Sequence, residues 1–286
     1  MRFVSIEKDT VPGIAIRDAG VLKGLYANQE GYPGSLDSLL RQGQEALERA
    51  AAVLMRSAVL DASALNVSIP LHRPSKIICV GLNYADHTKE SPYDQPDYPT
   101  LFPRFTSSLI ADGEAIVRPN CSVQLDFEGE MVAVIGQKGR HIPKDQALNH
   151  VAGYSLFNDG SVRDYQFKSP QWTVGKNFDA TGAFGPEFVT ADELPPGAKG
   201  LQLTTRLNGK VMQKANTSDM LFDVASLVSI ISGAITLEVG DLIVTGTPAG
   251  IGYARDPKVF MKAGDVCEVE IEGIGVLSNP IVDEEC

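Results

Sequence analysis

Apolar positions recur with two different periods along this chain, and the change of period divides it. Three early runs, Arg2–Ser5, Val11–Arg17 and Gly20–Leu25, have the composition of short strands. From Ser35 to about Leu60, by contrast, Leu36, Leu39, Leu40, Ala46, Leu47, Ala50 and Ala51 recur at the three- and four-residue intervals of one helix face. This predicts a small N-terminal α/β unit over residues 1–70. His72-Arg73-Pro74-Ser75 reads as a linker, and residues 71–286 as a larger unit dominated by strand candidates with Gly and Pro between them. These are Lys76–Val80, Glu114–Val117, Met131–Ile135, Val151–Phe157, Leu201–Leu207, Leu242–Thr245 and Val266–Ile271. Asn208-Gly209 marks a tight hairpin. Asp223 can cap a helix over Val224–Ser232 with Leu227, Val228 and Ile231 as its apolar face. Strands do not alternate regularly with long helices, so the pattern predicts an α+β, β-rich fold, a mixed-sheet roll or barrel rather than a doubly wound parallel sheet.

Within that pattern, Leu125–Gly136 carries the most chemistry. Successive strand side chains point to opposite faces, so Glu128 and Glu130 share a face with Val132 and Val134, opposite Phe127, Met131 and Ala133. Two converging carboxylates must share a proton or be neutralised by a cation, and a hard divalent ion with oxygen ligands is the usual partner. Asp159, in Asn158-Asp159-Gly160 after another apolar run, offers a third carboxylate. Taken alone, the E-x-E pair reads as a solvated strand edge.

A second stretch, Gly81–Glu90, follows a strand candidate directly. A helical turn over Tyr84–Glu90 places His87 and Glu90 three apart on one face, a base with its orienter; a surface ion pair is the other reading. The Pro-rich run that follows, from Ser91 to Pro99, cannot continue a helix and suits a lid. Lys176, and Arg163 with Gln166, lie where strands end. Gly246–Gly252 offers the Thr247 hydroxyl and backbone N–H groups to an anion, although it lacks the phosphate-loop pattern. Ordinary surface charge and a tight turn account for each of these taken singly.

Composition narrows the partners. The net charge of −11 opposes nucleic acid and anionic membranes, but not an anionic small molecule, which answers to local charge. No apolar run approaches the roughly 20 residues that span a bilayer, and the N-terminus lacks the layout of a secretory signal, so a cytoplasmic location is expected. Cys79, Cys121, Cys267 and Cys286 are scattered and suggest neither a disulfide framework nor a zinc site; Cys79 and Cys267 read as small buried hydrophobes.

Five blocks, NYADHTKE, DFEGEMVAVIG, GYSLFNDGSVRDYQ, WTVGKNFD and VGDLIVTGTPAGIG, resemble in order and spacing the fumarylacetoacetate hydrolase family in its short bacterial form, from about Lys76 onward. The resemblance implies a β-rich roll, usually a homodimer, that holds Mg²⁺ or Mn²⁺ by Glu128, Glu130 and Asp159. It further implies His87 and Glu90 as a lid dyad, Lys176 as the cation facing a bound keto acid, and Arg163, Gln166 and Thr247 as contacts to substrate oxygens. Many members carry Lys where this chain has Arg104. The activity implied first is metal-dependent hydrolysis of a C–C bond in a 2,4-diketo acid, an acylpyruvate such as fumarylpyruvate, in aromatic catabolism. Oxaloacetate decarboxylation and isomerisation of a hydroxymuconate-type acid use the same features, and a keto-acid-binding metal protein without turnover is the reading from another class. The first 70 residues carry no motif of this kind.

Overall fold

The period-two runs assemble into one large mixed sheet and one smaller one. The structure is a computed structural model and describes residues 1–90 and 97–285, the side chains of residues 87–89 excepted. In the large sheet, Val21–Tyr26, Val11–Asp18 and Arg2–Lys8 lead, in that order, to Gly182–Thr190 and then to Val151–Asp159. Gly129–Ile135, Leu242–Val244, Ile77–Gly81 and Thr100–Arg104 complete the path. The second sheet has five strands in the order Lys210–Asn216, Gln202–Leu207, Val266–Ile271, Gly275–Asp283 and Ile116–Arg118. The fold is thus α+β and rich in strands, as the pattern predicts.

The predicted alternation holds where it matters most. Phe127, Met131, Ala133 and Ile135 enter one core, shared with Leu203, Val269 and Leu277 of the smaller sheet and with Leu227, Val228 and Ile231 of the helix Val224–Ala234. Val132 and Val134 enter a second core, shared with Leu36, Leu39, Leu47 and Leu54. Two short helices therefore cover one face of the large sheet, and the smaller sheet with its helix covers the other.

The single helical stretch expected from Ser35 to about Leu60 is instead two helices, Leu36–Gln42 and Gln44–Leu54. Ser35 caps the first through its side chain, and Gly43, at φ 91°, breaks the run in a conformation that glycine adopts without strain. Val59 and Leu60 leave the helix and pair with Leu22 and Lys23. The N-terminal strands extend the large sheet, because Arg2 and Phe3 pair with Val189 and Phe188. The strand Gly182–Thr190, buried throughout, was not foreseen. It has no polar alternation because both of its faces are covered. Pro186 lies at the irregularity opposite Ser155, a place where a ladder tolerates a missing N–H.

Candidate active site

Register brings the three predicted carboxylates together. Gly129 pairs with Asn158 and Glu130 with Phe157, so Asp159 ends its strand beside Glu128, and the Asp159 N–H donates to the Glu128 carbonyl at 2.9 Å. One oxygen from each of Glu128, Glu130 and Asp159 lies within 4.8 Å of the others, and all three side chains are buried. Gly129 between the glutamates is needed for packing: a Cβ there would lie 2.1 Å from Thr205 Oγ1 of the smaller sheet.

The cluster belongs to a buried chain of alternating charge. Arg104 donates to Asp159 Oδ1; Lys176 Nζ lies 2.7 Å from both Asp159 Oδ2 and Glu128 Oε2. On the other side, Arg163 NH2 lies 2.6 Å from Glu128 Oε1 and its Nε donates to Asp126 Oδ2 at 2.9 Å. Three cations thus alternate with three anions. Glu130 is the fourth carboxylate and has no ion pair among the described residues; its Oε2 accepts the Gly246 N–H.

The titration behaviour follows from this accounting. Burial, and then the charges of Asp159 and Glu128, push Glu130 well above the usual carboxylate range, with Lys176 opposing. Burial alone would lower the Lys176 amine, but Asp159 and Glu128 outweigh it and raise its pKa. Arg163 is held charged in the same way: burial works against the charge, and Glu128 and Asp126 more than offset it. Three hard oxygen donors converging on a site with one uncompensated negative charge fit a divalent cation that prefers oxygen ligands.

These groups floor a cleft. Its base includes Glu128, Glu130, Arg163, Gln166 and Lys176, and its apolar wall includes Phe102, Phe167, Trp172 and Tyr253. The helix expected around His87 forms over Ala85–Glu90; the His87 side chain itself lies outside the described residues. Glu90 borders the cleft, and its Oε2 accepts the Gly250 N–H at 2.8 Å. Gln166 Oε1 accepts from Arg163 NH1 at 2.8 Å.

The glycine loop after Val244 departs from expectation. Its N–H groups at Gly246, Gly250 and Gly252 do not await an anion; they donate to Glu130, Glu90 and Asp126. Thr247 borders the cleft, but its hydroxyl donates to the Gly129 carbonyl at 3.0 Å and accepts from Gln213 Nε2 at 2.8 Å. The loop is therefore a scaffold pinned by side chains from distant segments.

Two further contributors escaped the sequence reading. Asp126 has the same parity as Glu128 and Glu130, and D-x-E-x-E was the available signal. Gln213 had none, because it reaches the site from the smaller sheet, where its Oε1 accepts the Gly129 N–H at 3.0 Å. Burial raises the Cys79 thiol and pushes Cys267 up to about 12, which disfavours the nucleophilic thiolate at both.

Comparison with known proteins agrees with this geometry. Residues 76–282 match the fumarylacetoacetate (FAA) hydrolase C-terminal family. Over 99% of its length the chain is 37% identical to the mitochondrial oxaloacetate tautomerase of Xenopus laevis, of which it covers 90%. It also resembles the solved fumarylacetoacetate hydrolase of the psychrophile Exiguobacterium antarcticum, at 36% identity and TM-score 0.87 over 99% of this chain and 100% of that one. A 5-carboxymethyl-2-hydroxymuconate delta-isomerase from Mycobacterium smegmatis matches at 28% identity and TM-score 0.78, with both chains covered in full. A family match over most of the chain, with a relative 37% identical over 99% of it, shows that this protein belongs to the fumarylacetoacetate hydrolase family of enzymes.

Proposed function

We propose that the protein catalyses keto–enol tautomerisation of oxaloacetate or a closely related 2-oxo dicarboxylate, with Mg²⁺ or Mn²⁺ as cofactor. The observation that carries this reading is the Xenopus relative, an oxaloacetate tautomerase aligned along nearly the whole chain, including the first 75 residues that the family match leaves out. Glu128, Glu130 and Asp159 would hold the ion, which when bound supplies Lewis-acid polarisation of a keto oxygen. The reaction moves one proton from C3 of the keto acid to its C2 oxygen. The C3–H electron pair becomes the C2=C3 double bond, the carbonyl π pair takes up the proton, and nothing is added or lost.

The side chains of this site suit that exchange. Arg163 donates to Asp126 and Gln166 and is ion-paired with Glu128, and the remaining protons of its terminal nitrogens can meet a substrate carboxylate. Lys176 keeps an ammonium on the cleft floor, where it favours negative charge developing on oxygen. Glu90, with His87 on the same helix, is the candidate to hold the proton taken from C3. Phe102 and Trp172 on the wall limit the approach of water.

Hydrolysis of an acylpyruvate, the activity that the sequence motifs imply first, is the second reading. The close match to the Exiguobacterium fumarylacetoacetate hydrolase and the placement of Glu90 at the cleft favour it. One set of assays separates the readings. With Mg²⁺ or Mn²⁺, and not with EDTA, the protein should accelerate decay of the enol absorbance of oxaloacetate without releasing pyruvate. Pyruvate from an acylpyruvate, with no effect on enol decay, would replace the tautomerase by the hydrolase; pyruvate from oxaloacetate would replace it by a decarboxylase. A protein that binds the metal and oxalate but turns over none of these would be a binding protein.

A further inference from the structure

We infer that Asp126, which does not border the cleft, is the positioning residue that aims the Arg163 guanidinium at the substrate; the inference rests on the proposed reading of Arg163 as a contact to the keto acid. The backbone sets up the pair. Leu125–Asp126 and Ser161–Val162 form a two-stranded ladder in which Asp126 faces Ser161, and the Arg163 N–H continues it by donating to the Gln124 carbonyl at 3.0 Å. Both side chains leave one short ladder and meet with 2.9 Å between Arg163 Nε and Asp126 Oδ2.

Asp126 is fully enclosed and fully engaged. Its Oδ1 accepts the Phe127 and Gly252 N–H groups at 2.9 and 2.8 Å, and its Oδ2 accepts Tyr253 N–H at 2.9 Å besides Arg163. A guanidinium is a rigid planar fork, so the two hydrogen bonds from Nε to Asp126 and from NH1 to Gln166 fix its plane, with NH2 in ion-pair contact with Glu128. Glu128 is also a candidate metal ligand. Asp126 shares the Arg163 charge with it, and so keeps the guanidinium from collapsing onto Glu128 alone.

The same carboxylate ties down the cleft wall. Gly252 approaches so closely that a Cβ would lie 2.6 Å from Asp126 Oδ1 and 1.7 Å from the Val259 carbonyl. Its neighbour Tyr253 packs against Phe167 with ring centroids 5.1 Å apart. Asp126 therefore joins the loop that bears the wall to the arginine that grips the substrate.

Asparagine at this position cannot reproduce the contacts. Whichever way the amide turns, its NH₂ replaces an oxygen that accepts two N–H donors, facing either Gly252 with Phe127 or Tyr253 with Arg163. The test uses the full-length protein loaded with Mn²⁺ and compares wild type, Asp126→Asn, Arg163→Met and the double variant. Oxalate binding is followed by calorimetry, and KM and kcat are measured with oxaloacetate. Asp126→Asn should weaken oxalate binding and raise KM by about 10- to 100-fold, the range for losing a partner behind a functional group. Mn²⁺ affinity should be retained and kcat should fall less than KM rises. The double variant should be no worse than Arg163→Met, because Asp126 has nothing left to aim.

If Asp126→Asn gives no cooperative melt, Asp126→Glu carries the same comparison, since it keeps the charge and both acceptors on an arm one methylene longer. Oxalate binding at the wild-type level in either folded variant, or losses that multiply in the double variant, would overturn the role of Asp126 while leaving the activity in place. A wild type that neither binds oxalate nor acts on oxaloacetate would overturn the functional reading, and the aim ascribed to Arg163 with it.

Discussion

Carboxylates of one cluster are not interchangeable, and their partners tell them apart. Glu128 is paired with both Lys176 and Arg163, whereas Glu130 has no ion pair among the described residues and is pushed up in pKa by burial and its neighbours. Glu130→Gln should therefore abolish metal binding and activity, yet leave the metal-free Tm unchanged or higher, because it removes a carboxyl whose ionised form burial and its acidic neighbours disfavour. Glu128→Gln should also abolish both, but it leaves Lys176 with Asp159 alone and Arg163 with Asp126 alone in a buried site, and should cost on the order of 3 kcal/mol. Melts in EDTA and Mn²⁺ calorimetry read both effects; equal loss of Tm in the two variants would contradict the pairing. Lys176→Met is the complementary case. It should lower kcat/KM by roughly a hundredfold, on the scale of a lost oxyanion-type donor. It should also enlarge the Tm rise that Mn²⁺ produces, since the ammonium no longer neutralises Glu128 and Asp159. An unchanged Mn²⁺ response would place the amine away from the ion in solution.

At the scale of elements, the cap of the helix Val224–Ala234 offers a test with a definite sign. Asp223 Oδ1 accepts the Ser226 N–H at 2.9 Å, and Asp223→Ala should cost about 1 kcal/mol. Burial acts to raise the Asp223 carboxyl, but its bonds to Ser226 and the charge of Lys144 more than offset this, so its pKa is lowered on folding. A depressed carboxyl stabilises the fold above its unfolded pKa and loses that contribution as pH falls through the folded one. The gap in Tm between wild type and variant should thus be full near neutrality and close in acid below the usual Asp range. This helix was legible because its cap, its apolar spacing and its length all lie within a dozen residues. The hairpin at Asn208-Gly209 was legible for the same reason, and both residues have the positive φ, 52° and 76°, that the turn requires. The strand Gly182–Thr190 was not, since a strand covered on both faces shows no alternation. In the site, the parity of Glu128 and Glu130 and the turn at Asp159 were local signals. The pinning of the glycine loop was illegible, because the carboxylates that take its N–H groups, at positions 90, 126 and 130, lie more than 100 residues away.

For the whole molecule, the boundary expected near residue 70 meets a sheet that continues across it. The strand Arg2–Lys8 pairs with Gly182–Thr190, whose other edge carries Val151–Asp159 and so leads directly to a candidate metal ligand. Leu36, Leu39, Leu47 and Leu54 share one core with Phe157, Phe184, Phe188, Val132 and Val134 of the catalytic strands. Removing residues 1–70 would return those five side chains toward water at roughly 1.5–3 kcal/mol each. That total matches the 5–15 kcal/mol by which a whole domain is usually stable. The removal also bares an edge of Gly182–Thr190, an invitation to intermolecular pairing. A protein of residues 71–286 should accordingly lack a cooperative melt, aggregate, and fail to bind Mn²⁺ even though it retains Glu128, Glu130 and Asp159. Co-expression with residues 1–70 as a separate chain should restore part of the soluble, Mn²⁺-binding protein, since the missing strand and helices are then supplied in trans. A cooperative melt and unchanged Mn²⁺ binding for residues 71–286 alone would instead make the N-terminal unit an independent appendage.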